Sequence, residues 1–198
     1  HRVDRRQRQM CIRDRDWTVL NMNLSGEAEK YLVLNTDGSV QDSSTTFNDT
    51  DPTSTVFSVG TAGSTNGSSA TYVAYCWAPV QGFSKFGSYT GNGNADGPFI
   101  YTGFRPSLVI IKLSSSSKNW YMFDNKRDPF NDGTGTYLLP NETSTDGTGT
   151  GLSADFLSNG FKWTGTNSAI NGDGNTYQYM AWAEAPLVNS EGVPGNAR

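Results

Sequence analysis

Histidine occurs once in this chain of 198 residues, at position 1, and cysteine twice, at positions 11 and 76. A serine or cysteine nucleophile of the triad kind needs a histidine base, and the body of the chain has none. Zinc needs clustered histidine and thiolate ligands, which are equally missing. Charged residues are scarce at 17%, and the chain is poor in the alanine, leucine, glutamate and lysine that build helical proteins. Against these shortages stand 10 Phe, 9 Tyr, 5 Trp and 22 Gly, with long runs of Ser, Thr, Asn and Asp. A disordered chain carries more charge and far fewer aromatics. The composition is that of an all-β protein with short strands and many turns.

The charge is uneven. Residues 1–15 hold 6 of the 15 basic residues and 2 of the 19 acidic ones, leaving 9 basic against 17 acidic, a formal charge of −8 for the rest. An acidic body repels nucleic acid and anionic membrane surfaces, where binding runs on Lys and Arg, so neither nucleic-acid binding nor membrane insertion is expected. The stretch 1–15 has three readings: a nucleic-acid arm, a transit peptide or an artefact. It lacks the apolar run and small-residue cleavage site of a secretory signal. Met10 to Arg15 back-translates readily into the end of a sequencing-library adapter, so 1–15 is expected to be a foreign tail. Cys76 is then the one genuine cysteine, and no internal disulfide is expected.

A repeat of about one hundred residues runs through the remainder. Thr71 to Ala78 aligns with Thr176 to Ala183 at an offset of 105, and Trp17 to Asn21 with Trp120 to Asp124 at 103. Lys30 to Asn35 aligns with Thr136 to Asn141 at 106, and Phe57 to Val59 with Phe161 to Trp163 at 104. Four blocks in one order with near-constant offset indicate tandem duplication. Phe104 to Lys112 precedes Trp120, but no such block precedes Trp17. The first copy is therefore expected to lack its N-terminal strand, leaving a sheet edge near Trp17 open.

Each block reads as a strand, and 72–77 reads like 177–182. Between blocks lie Asn131-Asp132-Gly133, Asp146-Gly147 and Asn171-Gly172-Asp173-Gly174, which supply turn conformations. The expected fold is a pair of antiparallel β-sandwich repeats, jelly-roll-like in character. The boundaries are a tail at 1–15, a truncated first repeat at 16–82, an ordered Gly/aromatic connecting segment at 83–103, a second repeat at 104–188 and a C-terminal tail at 189–198. The connecting segment is no bland linker, since it carries Phe83, Phe86, Tyr89, Phe99 and Tyr101.

Candidate chemistry is sparse. Asp124, Asp128, Asp132, Asp155 and Glu184 are the acids that a glycosidase reading would draw on, but they do not alternate on a strand face, and loop acids look the same. Asn92-x-Asn94-x-Asp96-Gly97 has the oxygen rhythm of a calcium loop, making Asn92, Asn94 and Asp96 candidate ligands; Asx turns have the same spelling. Sugar binding pairs aromatic rings with amide-rich loops, and on that ground Trp163, Tyr89 and Asn92 are candidate contacts. Cys76 aligns with Ala181 and reads as a core position. No cofactor is implied.

The run Gly87-Ser88-Tyr89-Thr90-Gly91-Asn92-Gly93-Asn94-Ala95-Asp96-Gly97-Pro98-Phe99, then Tyr101-Thr102-Gly103-Phe104-Arg105-Pro106, is distinctive. With Leu157-Ser158-Asn159-Gly160-Phe161 and the closing Ala183-Glu184-Ala185-Pro186-Leu187-Val188, it resembles an uncharacterised duplicated β-domain of marine bacteriophage tail-fibre-like virion proteins. The resemblance covers about 17–198 and brings no catalytic motif. It implies a virion setting, extracellular after lysis, with a host-surface glycan, other tail proteins and a homotrimer as expected partners. The function expected is a non-catalytic adhesion module. The alternatives are a structural spacer or assembly domain, and a polysaccharide-degrading enzyme.

Overall fold

The computed structural model describes residues 15–24, 29–129 and 131–185. The readings placed on 1–14 and on the tail at 189–198 lie outside the described residues. The protein is all-β, with twelve strands and three one-turn helices among the described residues. It divides into two compact units, one containing residues up to 35 and 40–74, the other 36–39 and 75 onward.

The first unit is small. Strands β1 (Thr18–Leu20), β2 (Lys30–Val33) and β3 (Gln41–Asp42) form an antiparallel sheet in the order β1-β2-β3. A helical turn, Ser44–Phe47, follows. The Ser43 side chain accepts from the Thr45 N–H at its start, and Asn48 ends it in the left-handed region at φ 59°. Leu24, Leu32, Val33 and Phe47 are its buried apolar residues, and a second turn, Gly63–Asn66, closes it.

The second unit is a sandwich. One layer has the order β4-β12-β6-β7, made by β4 (Ser84–Thr90), β6 (Pro106–Leu113), β7 (Tyr121–Asp124) and β12 (Thr176–Ala183). The other has the order β10-β11-β5, from β5 (Phe99–Tyr101), β10 (Ala154–Leu157) and β11 (Gly160–Trp163). A two-stranded ribbon, β8 (Thr134–Tyr137) with β9 (Gly147–Thr150), joins β7 through the Met122–Leu138 bridge. Between the layers, Val109, Ile111, Leu113, Tyr177, Tyr179 and Ala181 meet Ile100, Phe156, Phe161 and Trp163. The period-two alternation of each strand aims these side chains inward, and their burial drives the two layers together. Residues 83–103 thus contribute one strand to each layer. Among the described residues no helix is long and apolar enough to cross a membrane.

The sequence repeat reappears as repeated contacts within each unit. The Trp17 N–H donates to Asn35 Oδ1 at 2.8 Å, and the Trp120 N–H to Asn141 Oδ1 at 2.9 Å. Tyr31 pairs with Gln41 and Lys30 with Asp42; 106 residues on, Tyr137 pairs with Gly147 and Thr136 with Thr148. Tyr72 Oη donates to Gly63 O at 2.6 Å, and Tyr177 Oη donates to Ser168 O at 2.7 Å. The helical turns Gly63–Asn66 and Ser168–Asn171 also match at an offset of 105.

One reading is corrected. The pattern predicts a strand over 72–77, but residues 71–79 form no ladder and are exposed throughout. The equivalent β12 is a strand because β4 and β6 pair with it on both sides. Aromatic and β-branched residues favour a strand only where a neighbour supplies the hydrogen bonds.

Candidate functional site

The second layer has a clean face. In β5, Ile100 is 6% exposed, while Phe99 and Tyr101 on either side are 46% and 58% exposed. The register carries this alternation across the sheet: Phe99 pairs with Lys162 and Tyr101 with Gly160 in β11, and these pair with Asp155 and Leu157 in β10. Paired residues of an antiparallel sheet share a side, so Phe99, Tyr101, Gly160, Lys162, Asp155 and Leu157 all point outward. A Cβ built on Gly160 would stand 2.2 Å from Ile100 O and 2.8 Å from the Phe99 ring, so a side chain there would collide with the β5 backbone as well as with the ring. Glycine is what keeps the face low enough for the ring to spread over it.

Charge frames the rings. Lys85 Nζ donates to Tyr101 O at 2.9 Å and lies 5.1 Å from the Tyr101 ring centroid, within reach of a cation–π attraction. Lys162 donates to Asp96, and this hydrogen bond and charge hold the Asp96 carboxyl below the usual range. Asp155 is raised by partial burial, with the Lys162 charge opposing. Asp128 is raised by burial first and then by the carboxylates of Asp132 and Asp155.

Two of the aromatic residues singled out in the sequence lie elsewhere. Trp163 is fully buried, edge-on to Phe123 and Phe161 at ring distances of 5.3 and 5.4 Å. Tyr89 is also inside. Its ring stacks on Tyr177 at 4.9 Å, its hydroxyl donates to Ile170 O at 2.7 Å, and burial holds its pKa well above the ordinary value. Neither ring offers an open face to a ligand, because both are core residues between the layers.

Asn92, Asn94 and Asp96 are brought together in one exposed loop. Asn92 Oδ1 accepts from the Asn94 N–H at 3.0 Å, and Asn94 Oδ1 from the Asp96 N–H at 3.1 Å. Asn92 Nδ2 donates to Asp96 O at 3.0 Å. The side-chain oxygens of the two asparagines thus serve the loop's own backbone as Asx turns. The loop is anchored by buried Asn171, whose Oδ1 accepts from the Asn92 N–H at 2.9 Å and whose Nδ2 donates to Asn94 O at 2.8 Å. Among the described residues no three His, Cys, Asp or Glu side chains gather where a metal ion could sit.

Sequence reasoning therefore missed Phe99, Tyr101, Lys85 and Lys162 as candidate ligand contacts. The signal was available in the alternation Phe99-Ile100-Tyr101, which places two rings on one side of a strand. The chemistry of the face is stacking and hydrogen bonding, with two lysines and two aspartates around two open rings.

No curated protein and no solved structure matches the chain. A family model does match, over residues 6–186, a span that takes in most of the arginine-rich stretch read above as foreign. With that match covering most of its length, this chain belongs to the family described as a domain of unknown function, DUF7483.

Proposed function

We propose that this chain is a non-catalytic glycan-binding module, with the sugar held on the outward face of β5, β11 and β10. The observation that carries the reading is the pair Phe99 and Tyr101, half-exposed on the same side of one strand. A soluble protein gains nothing in stability from two large rings in water, whereas the apolar face of a pyranose stacks on such rings. Lys162, Asp155 and Asp96 lie beside them and supply donors and acceptors for hydroxyl groups. The virion setting, with tail proteins as neighbours, rests on the resemblance of the Gly87–Pro106 stretch to phage tail-fibre-like domains.

The assembly reading has its own support in the exposed Phe57, Val59 and Tyr72 of the first unit. A glycan array carrying bacterial surface polysaccharides separates the two. Retention of wild-type protein, its loss in the double variant Phe99→Ala/Tyr101→Ala, and no release of reducing ends from the bound glycan are the expected results. Absence of any bound glycan, or equal retention of the double variant, contradicts the glycan reading.

A further inference from the structure

The two rows of the outward face differ in charge. In the row of Phe99, Lys162 and Asp155, the lysine is matched by two carboxylates: it donates to Asp96 and has Asp155 as its cross-strand partner. The next row, Tyr101, Gly160 and Leu157, carries no charge of its own. The cation that flanks Tyr101 comes from the other layer. Lys85 lies in β4, an edge strand of the first layer, and pairs with buried Ala181. Its side chain therefore starts on the inner side of that layer and reaches across to β5.

The β5 backbone is arranged to receive it. The Trp163 N–H donates to Pro98 O at 3.3 Å, and the Thr102 N–H to Asn159 O at 3.0 Å, so Pro98, Ile100 and Thr102 turn their peptide groups to β11. Alternation turns those of Phe99 and Tyr101 to the open edge. There Tyr101 O accepts from Lys85 Nζ at 2.9 Å, which sets the ammonium 5.1 Å from the ring centroid. An ammonium has three N–H donors, and this carbonyl takes one. Lys85 makes no ion pair among the described residues, whereas Arg105, Lys126, Arg127 and Lys162 each face a carboxylate. A lysine at a sheet edge discourages strand addition, but that role does not call for an open ring beside it. Ring and cation together make a site for a flat molecule with a negative group at its rim.

We infer that the sugar held on this face is acidic: a uronate stacked on Tyr101, with its carboxylate paired to Lys85. The inference rests on the glycan reading above and adds the class of sugar to it. A uronic acid carries its carboxylate directly on the pyranose ring, so stacking on Tyr101 keeps the charge within the span of the Lys85 ammonium. Lys162 does not serve in the same way, because an anion there would meet the carboxylates of Asp96 and Asp155.

The test presents the full chain with bacterial surface oligosaccharides on an array, each uronate-containing one both native and with its carboxyl reduced to a primary alcohol. Reduction keeps the pyranose ring and its hydroxyls and removes the charge. Native uronate glycans are expected to be retained about tenfold more strongly than their reduced forms, the size of one charge-assisted hydrogen bond. Lys85→Met is expected to abolish that difference while retaining the reduced forms as wild type does, and Lys85→Arg to keep it. Equal retention of native and reduced forms overturns the inference and leaves the glycan reading standing. So does strongest retention of glycans without uronate, whether neutral or phosphorylated. A Lys85→Met variant that weakens both forms equally also overturns it, limiting Lys85 to positioning Tyr101. Retention of no glycan at all overturns the glycan reading and the inference with it.

Discussion

Asn171 donates through Nδ2 to the carbonyl oxygen of Gly165 at 2.9 Å, and 105 residues earlier Asn66 makes the same bond to Gly60 at 2.8 Å. The two glycines are under the same constraint. A Cβ on Gly165 would stand 2.0 Å from Gly151 O, and one on Gly60 would stand 2.1 Å from Thr45 O. An asparagine side chain and a tight backbone crossing recur together in both units. The duplication has kept a local mechanism for folding the chain back after each hairpin, beyond the periodic placement of aromatics.

Asn171→Ala removes the Gly165 bond and also the two side-chain bonds of Asn171 to the Asn92–Asp96 loop. It is expected to destabilise the second unit by about 3 kcal/mol, since the groups it leaves are buried or half-buried. Asn66→Ala loses the bond to Gly60 O and should cost about 1 kcal/mol. Urea denaturation of the two variants measures the difference.

Gly165→Ala should cost more than either, about 4 kcal/mol, because the obstacle is backbone carbonyl and cannot rotate away. Loss of the second unit's cooperative transition in calorimetry is the expected result. A transition within about 1 kcal/mol of wild type would show that the crossing can open without penalty.

Lys112 is fully buried, with Nζ donating to Leu113 O at 2.7 Å. Burial lowers its pKa from the ordinary value to about 8, with the Asp37 charge opposing. Between about pH 8 and 10.5 the unfolded chain holds a proton that the folded chain has released, so stability rises with pH across that window, by up to about 3 kcal/mol. Below pH 8 both states are protonated and the cost of the buried charge is constant. The buried phenols of Tyr177 and Tyr179, raised by burial, act in the opposite sense above about pH 10. Urea denaturation at pH 7 and pH 9.5 should show the rise in wild type and its loss in Lys112→Met.

The architecture was legible in the sequence where residue type and spacing acted together. Trp17 with Trp120 and Tyr72 with Tyr177 keep their offset because each sits in a site defined by partners that repeat with it. The aromatic alternation of 83–103 marked ordered strands for the same reason. Side-chain identity alone was a poor guide to the site. Trp163 and Tyr89 are aromatic, as a sugar contact would be, but so is any large core residue, and only the register of β11 and β4 tells which way each points. The strand expected at 72–77 failed on a non-local condition: its equivalent β12 is a strand because β4 and β6 pair with it, and no property of residues 72–77 reports whether such neighbours flank them.

Burial sets a contrast among the aromatics. Trp163→Ala should cost about 3–5 kcal/mol in thermal or urea unfolding, because it empties the centre of the core. Phe99→Ala and Tyr101→Ala, on the outer face, should each stay within about 1 kcal/mol of wild type. A large loss from either outer ring would mean that the face has a structural role.

That separation of stability from binding makes one titration decisive. For the glycan retained most strongly on the array, isothermal titration of Tyr101→Ala beside wild type measures what the ring contributes. Affinity at least tenfold weaker, with an unfolding midpoint unchanged from wild type, is the result predicted for a sugar stacked on this face. Equal affinity in the two proteins would contradict it and place any glycan contact elsewhere on the molecule.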